Sequence, residues 1–154
     1  MPVPSSDPII VAPTNMPFRI DDESLDLDAL ARNVDKFSNT ALSGFVVGSY
    51  GGEEFHMGEP EKVSAIKTVV EAHAGRRFVI AGIDALSPTE AVRLSNLYAD
   101  AGADMVRVRI PSERKAVKTA PIQDYFEQVT EGSPVPVVII HQPKTAMSTD
   151  ITKD

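Results

Sequence analysis

The chain of 154 residues contains no cysteine, and this absence excludes several kinds of chemistry. The chain can form no disulfide, it offers no thiolate nucleophile, and it has no zinc site built from thiolates. Basic residues are also scarce, since 15 Lys and Arg stand against 22 Asp and Glu, for a net charge of -7. They form no stripe along the sequence. The sequence therefore argues against binding to nucleic acid or to an anionic membrane surface.

Long apolar runs are missing as well. No run approaches the roughly 20 residues that a helix needs to cross a bilayer. The start, Met1 to Asp7, has no basic region followed by an apolar stretch, so we expect no signal peptide and a cytoplasmic protein. With 3 histidines and no cysteine, the ligands are too few to argue for a metal site. We expect neither a metal nor another cofactor.

The main feature of the sequence is a set of five short runs rich in β-branched residues. Continuous apolar runs of this kind are typical of strands buried on both faces, as in a parallel sheet. They begin about 27 to 35 residues apart, an interval that fits a strand, a helix and two loops. The five predicted strands are Ile9–Ala12, Gly44–Gly48, Phe78–Gly82, Met105–Ile110 and Val137–Ile140.

Helical patterns fill the intervals between these runs. In the first interval, the apolar residues from Leu27 to Phe37 recur on one face. The third helix has the clearest start, because Ser87-Pro-Thr-Glu90 has the form of a capping box. A fourth helix is predicted to follow Pro121 and to end at Gly132. The order βαβαβαβαβ predicts an α/β fold with parallel strands and a single domain over residues 1–154.

The motifs, taken in order, resemble those of the dihydrodipicolinate synthase and N-acetylneuraminate lyase family. The resemblance begins at Ala12-Pro-Thr-Asn-Met-Pro-Phe18 and continues through the loop in Gly44–Glu53. It extends over Ala101–Pro111 to the segment Pro134–Pro143, and so covers nearly the whole chain. It implies the first four and a half units of a (β/α)8 TIM barrel. Because such a barrel needs about 250 residues, the domain would end before the sixth strand.

The resemblance also implies an activity. Members of this family are lyases and aldolases that bind pyruvate or another 2-oxo acid through a Schiff base. Their lysine lies on the sixth strand, which would be beyond residue 154, so we expect this chain to be inactive alone. The family also implies a small-molecule 2-oxo acid as partner, and the open strand edges of a half-barrel predict a homo-oligomer.

The sequence departs from the family at the end of the fifth strand. The usual Tyr-Asn-x-Pro reads Ile140-His-Gln-Pro143, and the arginine that usually follows is missing. These departures affect the family's proton relay and carboxylate anchor. They argue against strict dihydrodipicolinate synthase activity.

The loop after the second strand is the best candidate site, because chemistry in such barrels lies at the C-terminal ends of strands. The resemblance suggests that the N–H groups of Gly51 and Gly52 hold a substrate carboxylate. Ser49 would donate a hydrogen bond to the substrate, and Tyr50 would pass a proton. The alternatives are a flexible turn, a serine that caps the loop and a packed tyrosine.

Two further residues follow predicted strands. His141 comes after the fifth strand and could be a general base in place of the missing tyrosine, or a histidine paired with a loop carbonyl. Asp84 could orient a hydrogen-bond donor at the end of the third strand, or simply begin the turn before Ser87.

Two other functions remain open from the sequence. The chain could be a non-catalytic half-barrel that self-associates through its open strand edges. It could instead be a small α/β binding domain with an open sheet, because the same element order fits that fold as well.

Overall fold

The computed structural model of the chain describes residues 9–109 and 119–140, with backbone alone for 119–121. Strands and helices alternate as predicted, and no helix of the described residues is long and apolar enough to cross a membrane. The strands are β1 (Val11–Pro13), β2 (Gly44–Val47), β3 (Phe78–Asp84), β4 (Met105–Arg109) and β5 (Val137–Ile139). The helices are α1 (Leu27–Ser38), α2 (Glu59–His73), α3 (Pro88–Asp100) and α4 (Thr119–Gly132).

The chain divides into two compact units, Met1–Val79 and Ile80–Asp154. In the first unit, β1 pairs in parallel with β2, and α1 packs against α2. The core between them is aliphatic and aromatic, because the buried faces of both helices meet the buried strand β2. Its fully buried side chains include Leu30, Val34, Phe45, Ile66 and Val69.

The predicted apolar face of α1 is only partly buried. Leu30 and Val34 are 1% exposed, whereas Phe37 is 50% exposed. Phe37 borders a cavity of about 370 Å³ beside β1, lined also by Leu42 and Phe45. Periodicity placed Phe37 on the correct face, but burial also requires a neighbouring element, and no element among the described residues fills this cavity.

In the second unit, β3 pairs with β4 and β4 with β5, again in parallel. The start of α3 is confirmed, since the Ser87 hydroxyl accepts a hydrogen bond from the Glu90 N–H at 3.2 Å. The capping box itself is incomplete, because the Glu90 carboxylate accepts hydrogen bonds from Arg93 instead. This guanidinium lowers the pKa of Glu90 below its usual value.

The fourth helix begins at Thr119, so Pro121 lies within its first turn and does not precede the helix as predicted. A proline is tolerated in the first helical turn because the N–H it lacks has no partner there. The apolar face of this helix is buried and consists of Ile122, Tyr125, Phe126 and Val129. The Tyr125 hydroxyl donates to the Ala85 carbonyl at 2.8 Å, which satisfies the one polar group on that face.

Candidate functional site

The loop that follows β2 is an ordered turn closed by its own backbone. Gly48 adopts φ +71°, in the left-handed region that favours glycine, and Tyr50–Gly52 form one turn of 3₁₀ helix. The Gly52 N–H donates to the Ser49 carbonyl at 2.9 Å, and the Glu54 N–H donates to the same oxygen at 3.2 Å. The Ser49 carbonyl thus accepts two backbone hydrogen bonds that close the turn.

The hydroxyl of Ser49 is the most informative atom of this loop. It is buried, and among the residues that the structure describes it has no hydrogen-bond partner. The hydroxyl of nearby Thr14 is already used, since it donates to the Val46 carbonyl at 3.2 Å. A buried hydroxyl without a partner carries a desolvation cost of about 1–3 kcal/mol. Within this part of the chain the Ser49 hydroxyl therefore makes no hydrogen bond that caps the loop, and its contact with a substrate stays a prediction.

The backbone approaches very closely beside Ser49. A Cβ atom added to Gly52 would lie 2.6 Å from the Thr14 carbonyl oxygen and 3.3 Å from the Ser49 hydroxyl. Only glycine therefore fits at position 52 without a shift of the neighbouring backbone. Because its N–H already donates to the Ser49 carbonyl, the predicted carboxylate contact rests mainly on Gly51, which is exposed.

Tyr50 lies at the outer side of the turn. Its side chain is 76% exposed and meets the ring of Phe55 edge-on, with ring centroids 5.8 Å apart. The tyrosine is therefore not packed in the core, contrary to the alternative interpretation. Its proton-transfer role stays a prediction.

Glu54 is a buried carboxylate of this loop that was not predicted from the sequence. Its side chain is 2% exposed, and it directly follows the exposed Glu53, whose φ is +58°. Two consecutive glutamates give no periodic signal that separates a buried carboxylate from an exposed one. The left-handed residue Glu53 turns the chain so that the second glutamate is buried.

His141 lies outside the described residues, which end at Ile140. Its predicted role as a general base stays a prediction. For metals, the described residues contain no group of three or more His, Cys, Asp or Glu side chains that could hold an ion.

The second unit contains a cluster of charged side chains at the ends of β3 and β4. The Asp84 carboxylate accepts from Nη1 of Arg107 at 3.1 Å and from Nε of Arg109 at 3.0 Å, and it also pairs with Nη2 of Arg109. Exposed fractions of these side chains are 14% for Asp84, 5% for Arg107 and 19% for Arg109. Asp84 thus orients two donors, both of them guanidinium groups that were not predicted from the sequence to be its partners. The alternation Arg-Val-Arg within β4 was the feature of the sequence that could have indicated these partners, because it places both arginines on one face of the strand.

The sequence profile of the dihydrodipicolinate synthetase family matches residues 7–153. A 4-hydroxy-tetrahydrodipicolinate synthase of Methanothrix thermoacetophila is 34% identical over 83% of this chain and 42% of its own length. An L-threo-3-deoxy-hexylosonate aldolase of Hypocrea jecorina is 30% identical over 94% of this chain and 48% of its own. The chain thus spans about half the length of the curated relatives it matches.

Solved structures agree with these relatives. YagE, a prophage protein of E. coli K12 that belongs to the dihydrodipicolinic acid synthase family and was solved in complex with pyruvate, superposes with a TM-score of 0.80 at 26% identity. The match covers 90% of this chain and 46% of that one. Such neighbours are TIM barrels, so the predicted α/β barrel class is confirmed, with about half of the barrel present. The chain belongs to the dihydrodipicolinate synthetase family.

Proposed function

We propose that this chain is the N-terminal half of a lyase or aldolase that acts on pyruvate or another 2-oxo acid by Schiff-base chemistry. Family membership supports the reaction class, and the pyruvate complex of the E. coli relative supports the substrate class. The names of the curated relatives include both a synthase and an aldolase.

The observation that carries the proposal is the buried Ser49 hydroxyl, which has no hydrogen-bond partner within residues 9–109 and 119–140. A serine hydroxyl donates one hydrogen bond while it remains neutral, which suits a carboxylate or keto oxygen. It lies at the C-terminal end of β2, the end at which barrel enzymes bind substrate. Ser49 is therefore assigned to the substrate's oxygen atoms, with the Gly51 N–H as a second donor.

The nucleophile for the remaining steps is assigned outside the described residues. A lysine beyond residue 154 would attack the ketone carbon, and water would leave as the imine forms. Tyr50 or His141 would move protons while the C–C bond forms or breaks. A polypeptide of these residues alone would therefore bind a 2-oxo acid without forming a covalent intermediate.

Borohydride trapping tests the absence of the nucleophile. The purified chain is incubated with pyruvate and borohydride, and its intact mass is measured. We expect no adduct, because the Schiff-base lysine is assigned beyond residue 154. A stoichiometric adduct would contradict that assignment, above all one mapped to Lys144, the lysine that follows the predicted fifth strand in the sequence.

Substitution of Ser49 tests the substrate contact. In a protein extended through the sixth strand, Ser49→Ala should weaken pyruvate binding by roughly 1.5–3 kcal/mol, the value of a hydrogen bond to a charged group. Ser43→Ala is the matched control, because the Ser43 hydroxyl accepts from the Ile10 N–H at the opposite end of β2. Pyruvate affinity should be unchanged by the control. Equal affinity in both variants would assign the loop a structural role.

Exposed strands favour a second candidate function, a non-catalytic half-barrel that self-associates. Ile9, Ile10 and Val11 are 50%, 45% and 40% exposed, and Val138 and Ile139 are each 37% exposed. Apolar residues exposed in or beside the strands β1 and β5 favour pairing with another chain. Light scattering coupled to size-exclusion chromatography should detect a dimer or larger species at micromolar concentration. A monodisperse monomer would contradict this function and favour an open sheet covered by the chain itself.

A further inference from the structure

The cavity beside β1 in the first unit has no role in the chemistry proposed above. Its volume is about 370 Å³, whereas packed protein interiors contain few voids larger than a water molecule. Its walls belong to β1, β2, α1 and the turn between α1 and β2, so it lies on the helix side of the β1–β2 pair. The apolar part of these walls consists mainly of Leu30, Val34, Phe37, Leu42 and Phe45.

The polar groups of the walls do not suit a small polar ligand. The Thr14 hydroxyl donates to a carbonyl of β2 at 3.2 Å, and the Thr40 hydroxyl donates to the Phe37 carbonyl at 2.7 Å. Each hydroxyl thus gives its single proton to the chain's own backbone. The remaining polar wall residues, Asn15 and Asn33, are exposed and so border the cavity at its mouth. The inner walls therefore suit apolar side chains.

The surface around the cavity is apolar and uncharged as well. Phe37 is half-exposed although it shares a face of α1 with buried residues, and Ile10 and Val11 are exposed in and beside β1. Among the described residues that line the cavity, none is charged. An apolar patch with a polar rim is typical of a surface that binds another protein segment.

The length of the relatives indicates which segment this is. The chain spans about half the length of its curated relatives, and β1 pairs only with β2 among the described strands. In a closed (β/α) barrel no strand edge is left open, so a further strand pairs with the other edge of β1. The helices form an outer ring, and the helix next to that strand therefore lies beside α1. The cavity, between α1 and β1, is at this position.

We propose that α1 and β1 form the docking surface for the C-terminal half of the family's barrel, and that the cavity receives a bulky apolar side chain from an amphipathic helix of that half. The docking surface consists of the cavity and of Ile10, Val11, Asn33, Phe37 and Leu42 around it. It rests on family membership and not on the Schiff-base chemistry. Association therefore requires neither pyruvate nor a reactive lysine.

Photo-cross-linking tests the docking surface. The whole chain is co-expressed with the C-terminal half of the Methanothrix thermoacetophila synthase, and the photoreactive residue p-benzoylphenylalanine replaces Asn33 at the mouth of the cavity. The matched control carries it in place of Arg32, which is exposed on α1 and does not line the cavity. We expect cross-links from position 33 to one helix of the partner half, and none from position 32. Equal cross-linking from both positions would overturn the proposal, as would cross-links to a second copy or to residues 1–8 of the chain itself.

Substitutions on the docking surface test the apolar contact. Phe37→Asp should lower the yield of the one-to-one complex, measured by native mass spectrometry, roughly tenfold, because the contact would bury an unpaired charge. Ile20→Asp is the matched control and should leave the yield unchanged, since Ile20 is fully exposed on the turn before α1. Ser49→Ala should also leave it unchanged, so failure of the proposed function remains distinguishable. Equal yields from the two aspartate variants, or no complex with the wild-type chain, would refute the proposal. If Phe37→Asp does not fold, the cross-linking of position 33 decides.

Discussion

Replacing Gly52 by alanine would add a methyl group at a point of the candidate site where the neighbouring backbone leaves no room for it. The added Cβ would lie 2.6 Å from the Thr14 carbonyl oxygen, whereas an ordinary contact is 3.4–4 Å. The obstacle is backbone and cannot rotate away, so either the segment at Thr14, directly after β1, or the turn must move. Overpacking of this kind typically costs about 1–3 kcal/mol. We expect Gly52→Ala to lower the free energy of unfolding by that amount.

The neighbouring glycine provides the control. At Gly51, the same substitution would place a Cβ 3.5 Å from Cγ of Pro13, which is ordinary contact on an exposed turn. Its effect should stay within about 0.5 kcal/mol, as for most surface substitutions. Equilibrium unfolding in urea, followed by circular dichroism, measures both variants. Equal losses in the two variants, or no loss at Gly52, would refute the argument from close approach.

Three further predictions concern the second unit. Tyr125→Phe should lower the free energy of unfolding by about 1–3 kcal/mol, because it removes the hydroxyl that donates to the Ala85 carbonyl. A thermal unfolding midpoint equal to that of the wild type would contradict this. Ser87→Ala should cost about 1 kcal/mol through loss of the N-cap, measured by chemical denaturation, and no change would mean that the cap is solvated equally well in the variant. The hydrogen bonds from Arg93 lower the pKa of Glu90. This contact therefore stabilises the fold fully at pH values above the usual pKa of the carboxyl. The stabilisation is lost as the pH falls through the lowered pKa. NMR titration should therefore give Glu90 a higher midpoint in Arg93→Gln than in wild type, and identical midpoints would exclude Arg93 as the cause.

Much of the fold was predictable because its signals are local. Ser87 and Pro88 begin α3 in the predicted position, and Gly102, at φ +100°, follows its end. A cap or a left-handed glycine depends only on residues a few positions away. Where a boundary was misplaced, as at Thr119, the reason was also local, because proline tolerates several positions in a first turn.

Burial was predicted less well wherever it depends on a distant neighbour. Periodicity placed Leu30 and Phe37 on one face of α1, but only Leu30 is covered. The two glutamates after the β2 loop look equivalent in sequence, and the structure buries Glu54. In each case the deciding contact involves the tertiary packing around the residue, which the local pattern does not encode.

The candidate site shows the same difference between features set by local sequence and features set by tertiary packing. The sequence by itself determined that a glycine-rich loop with Ser49 follows a buried strand, because strand, turn and motif are contiguous. Only the tertiary structure decided that the Ser49 hydroxyl is buried without a partner in the described part of the chain, and that Gly52 lies close against the Thr14 carbonyl. It also decided that Asp84 meets Arg107 and Arg109, since the parallel register of β3 and β4 joins residues more than twenty positions apart. Hydrogen bonds between strands form across such separations, and no local rule specifies which charged side chains they bring together.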